Sequence, residues 1–156
     1  MARLVSRQGL DVEVDFYGWC LQDVDDTVVP VPFPEGFDGE SFLAAHEGRL
    51  DFSSAGHTHT AALTAEVWDD EPAEAGAESG WDEVAEGVIV CRSGELAVWA
   101  VAGGPMPVYV RLSGQAGRWR VRAHCRGREE VRRLAREGVP EGVERYLIQF
   151  WPTETY

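Results

Sequence analysis

Several small groups in this sequence carry residue types that do chemistry, and their spacing decides what each could do. Asp23, Asp25 and Asp26 place three carboxylates within four residues, the oxygen-rich opening that a hard cation such as calcium needs. A calcium loop also requires glycine at its sixth position and glutamate at its twelfth. Counted from Asp23, neither is there. The segment reads as a solvated acidic turn, to which Asp69 and Asp70 could be added if the fold gathers loops at one end. His57 and His59 lie two apart, on one face of any strand that contains them, and could hold zinc or nickel if a third ligand faced them. No HExxH or similar pattern supports that use, and ordinary strand residues are the plainer reading.

The nucleophiles lead no further. There is no GxSxG motif, Ser93 and Ser113 each precede a glycine as turn serines do, and Cys125 falls in phase with Trp119 and Val121, where a thiol is a small core hydrophobe. The sequence has no lysine, so the phosphate-binding loop, which needs one, is excluded. The expectation is a protein that is not an enzyme and carries neither cofactor nor metal.

One basic feature stands out. In GRWRVRAHCRG, Arg118, Arg120, Arg122 and Arg126 alternate with Trp119, Val121, Ala123 and Cys125, and guanidiniums on every second residue of a strand can track phosphates. Cross-strand pairing with the many acids of the chain would use the same arginines internally, and that reading is preferred over nucleic-acid binding.

These groups must be positioned by strands. Leu10, Val12, Val14 and Phe16 alternate with polar residues, as do the two faces of HTHTAALTAEVW, and period-two alternation marks a half-buried strand. Further strands are expected at Arg49 to Phe52, Val84 to Cys91, Leu96 to Val101, Val108 to Leu112, Gly117 to Arg126 and Arg145 to Phe150. The last is apolar on both faces and so is expected to be central. Prolines 30, 32 and 34 with glycines 36 and 39 make a loop after Asp23. Ser41 to His46 reads as one helical turn, and Glu129 to Gly138 as one short helix that must lean on a sheet. The acidic stretch from residue 69 to 80 has no large apolar side chain and is expected to be a flexible loop. Short strands punctuated by glycine and proline indicate an all-β chain, a β-sandwich of about seven to nine mostly antiparallel strands in one domain covering residues 1–156. Trp119, Val121, Ala123, Val14, Phe16, Ile148 and Phe150 are expected in its core.

Charge limits the partners. Residues 1–90 hold three arginines against twenty acids, a balance of −17, and residues 91–156 hold eleven arginines against seven acids, a balance of +4, for a net charge of −13. Such a surface repels nucleic acid and anionic membrane and attracts basic partners. An acidic composition that serves only solubility is the alternative. Three widely spaced cysteines without a CxxC pair fit a reducing compartment. With no apolar run of signal or membrane-span length, a cytoplasmic location is expected.

The C-terminal run GRWRVRAHCRG, then a helical insertion, then ERYLIQFWP, is similar to a group of small actinobacterial all-β proteins in which a strand of the type YRVRxxARG precedes a DRYLxQxWP strand. More distantly the plan resembles the competence protein J family, small all-β proteins that inhibit a DNA-entry nuclease. That family's last two strands, GxYxLxCW and TYxI, align with Gly117 to Arg126 and Arg145 to Phe150. The resemblance implies a sandwich fold and an inhibitor or immunity role, and it carries no functional residue over. The combined expectation is a binding protein that uses Asp23, Asp25, Asp26, Asp69 and Asp70 toward a basic protein such as a nuclease or toxin. The alternatives are a nucleic-acid module using Arg118, Arg120, Arg122 and Arg126, or a calcium-binding sandwich. Oligomeric state is not indicated.

Overall fold

Alternation of apolar and polar residues builds two five-stranded sheets whose apolar faces meet. The computed structural model describes residues 1–27, 29, 41–76, 79–113 and 115–153. In chain order the elements are β1 (Leu4–Val14), β2 (Gly18–Asp23), β3 (Leu43–His46), β4 (Arg49–Ser53), β5 (His59–Trp68), β6 (Glu83–Cys91), β7 (Glu95–Ala100), β8 (Gly104–Arg111), β9 (Gly117–Arg126), α1 (Arg128–Leu134) and β10 (Glu141–Pro152). One sheet has the order β1-β5-β10-β9-β6 and the other β3-β4-β2-β7-β8. Every pairing is antiparallel except β5 with β10. The fold is thus the expected all-β sandwich, with ten strands among the described residues where the sequence predicts seven to nine, and the doubly apolar β10 is the middle strand of its sheet.

The inner faces form one continuous core. Val12 and Val14 of β1, Ala61, Leu63, Ala65 and Val67 of β5, Ile148 and Phe150 of β10, and Val121 and Ala123 of β9 face Trp19, Leu21, Leu50, Phe52, Leu96 and Val98 of the other sheet. Trp19 stacks on Phe52 at 4.4 Å between centroids and receives Tyr146 edge-on at 5.0 Å. Offset and edge contacts of this kind each add about 1 kcal/mol beyond the area they bury.

Three expectations are corrected. Phe16 is 58% exposed: β1 ends at Val14, and Asp15 and Gly18 close a two-residue turn in which Phe16 and Tyr17 both take positive φ, 50° and 63°. The turn ends the alternation one residue before Phe16 would have pointed inward. Residues 43–46 form strand β3, paired with β4, and not a helical turn. A neighbouring strand offers their backbone groups partners that a single turn of helix cannot. The helix is also shorter than expected, ending at Leu134 with Ala135 as its cap and not at Gly138. It leans on the sandwich through the fully buried Val131, whose methyl lies against Gly56, where a side chain would not fit. Gly127 starts it at φ 80°, where a Cβ would run into the Val143 carbonyl. The proline-rich loop after Asp23 lies largely outside the described residues.

Candidate partner-binding surface

The site residues expected from sequence occupy three different environments, set by the strands that carry them. Asp23 ends β2 in the middle of its sheet and is 2% exposed. Its Oδ1 accepts hydrogen bonds from the Ser93 hydroxyl at 2.6 Å, the Ser93 amide at 3.2 Å and the Asp25 amide at 3.0 Å, and its Oδ2 accepts the Arg92 amide at 2.6 Å. It therefore fastens the β6–β7 crossover between the sheets and presents little to a partner. Asp25 and Asp26 follow it outward, Asp25 half-buried and Asp26 exposed. The hydroxyl and amide of Thr27 donate to Asp25 and hold its carboxyl below the usual carboxylate range.

Asp69 and Asp70 are exposed just after β5, at the same end of the sandwich as Asp25 and Asp26, because β2 and β5 both finish there. Asp69 accepts the Arg3 amide at 2.7 Å and faces the Arg3 guanidinium at 3.9 Å. Among the described residues, no group of three or more histidines, cysteines or acids is placed to hold a metal ion.

The acidic segment after Trp68 does not float free along its whole length. Pro72 is buried, and Arg122, itself 1% exposed, donates to the Pro72 carbonyl at 3.0 Å and to Glu71 at 3.0 Å. Further on, the Trp81 ring lies 5.2 Å from His124 and 5.2 Å from the Arg126 guanidinium. The segment is tied to the outer face of the β9 sheet at Glu71 and Pro72 and again at Trp81. From Asp69 to Glu86 it carries eight acids and no basic residue.

Beneath it runs a polar row through all five strands. Register sets Arg7 beside Glu66, Glu66 beside Gln149, Gln149 beside Arg122, and Arg122 beside Glu86. Arg7 grips Glu66 at 2.9 and 2.7 Å, and Gln149 and Trp68 donate to the other oxygen at 3.0 and 3.1 Å. Burial works against the Glu66 charge, yet these hydrogen bonds outweigh it and hold the pKa below the usual value. Arg122 also lies 3.5 Å from Glu86 and over the Trp151 ring. Of the four arginines expected on this face, Arg122 is thus consumed internally. Arg126 covers Trp81, and Arg118 and Arg120 remain exposed in a cleft that they share with Asp70 and Glu71.

Sequence reading missed a second buried group at the opposite end. The Ser54 hydroxyl touches His59 Nε2 at 2.7 Å and donates to Glu144 at 2.7 Å; Tyr146 donates to the same carboxylate at 2.6 Å, the Ala55 amide donates at 3.0 Å, and Arg128 stands 3.6 Å away. Serine, histidine and glutamate in contact invite comparison with a hydrolase triad, but the wiring differs. A triad carboxylate orients the histidine through Nδ1 while the serine meets Nε2. Here the glutamate and the serine both approach Nε2, the carboxylate at 3.6 Å, and Ser54 is 6% exposed. Burial keeps His59 below its usual pKa and therefore neutral, and burial beside Glu144 pushes the Cys125 thiol up to about 12. The cluster holds structure together. Its signal was available: Glu144 stands in phase with Tyr146, Ile148 and Phe150, so it had to point inward and needed partners. His57, by contrast, is exposed and packs edge-on against Phe16 and Tyr17, so the two histidines do not share a site.

No family profile matches the sequence, and no curated protein is similar to it. Solved structures do match. One is ComJ from Bacillus subtilis, described as an inhibitor of the DNA degrading activity of NucA, with a TM-score of 0.64 and 12% identity over 98% of this chain and 99% of that one. Another is described as crocagin biosynthetic gene J, with a TM-score of 0.56 and 12% identity over 99% of both chains. The two-sheet sandwich of this protein, with its buried polar row and its acidic crossing segment, is built on the fold that ComJ has, over nearly the whole of both chains.

Proposed function

We propose that this chain is a non-enzymatic cytoplasmic binding protein, an inhibitor or immunity-type protein whose acidic surface receives a basic protein partner such as a nuclease or toxin. The observation that carries this reading is the segment from Asp69 to Glu86, eight acids without a basic residue, fastened to a rigid sheet by Arg122 and Trp81. Fixed charge at a defined place steers a cationic partner and sets its orientation. Likeness in fold to a nuclease inhibitor supports it. Asp69, Asp70, Asp25 and Asp26 extend the anionic surface at one end of the sandwich, while Asp23 serves as their internal support.

Affinity capture from the native host, read by mass spectrometry, tests the reading. A basic protein should be recovered, its association rate should fall steeply between low and physiological ionic strength, and reversing the charge of Asp69, Asp70, Asp25 and Asp26 should abolish capture without unfolding the chain. Retention of an oligonucleotide at physiological salt, lost on replacing Arg118 and Arg120, would overturn the proposal in favour of the arginine face.

A further inference from the structure

Two open sheets have four edge strands, and each exposed edge invites another strand to pair with it unless something blocks it. Three edges of this sandwich carry recognisable blocks. The β3 edge is four residues long. The β8 edge contains Pro105 and Pro107, its register slips opposite Ala97 and Trp99, and the Gln8 side chain occupies it, donating to the Tyr109 carbonyl at 3.0 Å and accepting the Arg111 amide at 2.9 Å. The β1 edge has a register shift between Leu4 and Ser6, and Met106 covers the Glu13 amide, with its sulfur 3.5 Å away.

The β6 edge differs on every count. It is nine residues long, contains no proline, and keeps unbroken register with β9 from Glu83 opposite Cys125 to Cys91 opposite Gly117. Among the described residues nothing pairs with its outer side. Its outward side chains run Val84, Glu86, Val88, Val90, with Val84 53% exposed. On the inner side Gly87 lets Ala45 and Leu43 of β3 approach closely, which closes the sandwich there without β3 pairing with β6. Immediately before it comes the acidic crossing segment.

We infer that the free edge of β6 is the docking line for an extended segment of the partner, which adds as a sixth strand to the β1-β5-β10-β9-β6 sheet. Backbone hydrogen bonds supply the pairing, and side chains on the outer face select the sequence. Val84, Glu86 and Val88 call for an apolar, a basic and an apolar residue at alternate positions, and Asp82 and Glu83 favour further basic residues at the end of β6 where it begins. The inference rests on the proposed basic partner for what the strand is, and on the edge geometry for where it binds.

A synthetic nine-residue peptide tests it, with valine, lysine, valine, lysine and valine at alternate positions and serine at the four between them. Amide exchange followed by nuclear magnetic resonance should show every second amide from residue 83 to 91 becoming protected on addition. The same peptide methylated at every second amide should not bind, and one with glutamate for lysine should bind at least about tenfold more weakly. Val84→Lys, a substitution at an exposed site, should weaken binding about tenfold or more, whereas Tyr109→Lys on the blocked β8 edge should leave it unchanged. Protection confined to another edge, or binding indifferent to amide methylation, would overturn the inference. If a captured basic partner binds while β6 amides exchange as before, the docking line is wrong and the functional proposal stands. If the peptide adds to β6 but no basic partner exists, the reverse holds.

Discussion

Glu144 has much at stake, because it is fully buried and gathers donors from Ser54, Tyr146 and Ala55 beside the Arg128 guanidinium. Removing one member of a buried polar set leaves the others desolvated and unpaired. Glu144→Gln should therefore cost about 3 kcal/mol of unfolding free energy, read from the urea midpoint, while Ser54→Ala should cost about 1 kcal/mol. Histidines give the pH response. Burial lowers the pKa of both His59 and His124 below the ordinary 6.5, so on acidification the unfolded chain takes up protons that the folded chain refuses. Stability from these two is complete above about 6.5 and falls as pH drops from there toward the lowered folded values. The melting temperature should decline between pH 7.5 and 5.5, and His124→Gln should flatten that decline.

At the scale of elements, the tight turn between β1 and β2 is built against local preference. Bulky residues at positive φ cost about 1 kcal/mol or more each, and Phe16 and Tyr17 occupy both central positions of a turn that favours Asn-Gly. Replacing the pair with Asn-Gly should raise the melting temperature by several degrees, measured by circular dichroism. The acidic crossing segment divides in a similar way. A three-residue Gly-Ser linker in place of residues 73–79 should leave stability nearly unchanged, whereas excising Glu71 and Pro72 as well should lower it, since Arg122 would keep its burial and lose two of its acceptors. Alternation made β1, β5, β9 and β10 legible in the sequence, down to the inward sets Ala61, Leu63, Ala65, Val67 and Trp119, Val121, Ala123, Cys125. Residues 43–46 were not legible as a strand, because Leu-Ala-Ala-His has no polar alternation and only pairing with β4 defines it. The acids of the surface were legible as acids, but not their division of labour. That Asp23 turns inward to a crossover, and that a proline carbonyl holds Arg122, depends on contacts 50 and 70 residues apart in the chain.

Taken whole, the molecule keeps its charges sorted by structure and not only by sequence. The arginine-rich second part of the chain supplies Arg122, Arg126 and Arg128, which are spent on the acidic segment, on Trp81 and on Glu144, so the −17 balance of residues 1–90 is only partly masked. The order in which the chain is made adds a further consequence. The middle strand of the larger-faced sheet, β10, is the last of the ten to leave the ribosome, and it enters between β5 and β9, which are paired with nothing on those sides until it arrives. Up to that moment the nascent chain exposes two long strand flanks, and Ser54, just past the end of β4, waits without the carboxylate of Glu144. The sheet therefore closes only once β10 has emerged: a nascent chain arrested before residue 141 should be cut readily by protease, and one extended beyond residue 152 and clear of the exit tunnel should resist. The β6 edge therefore has no complete sheet behind it until β10 has been inserted between β5 and β9.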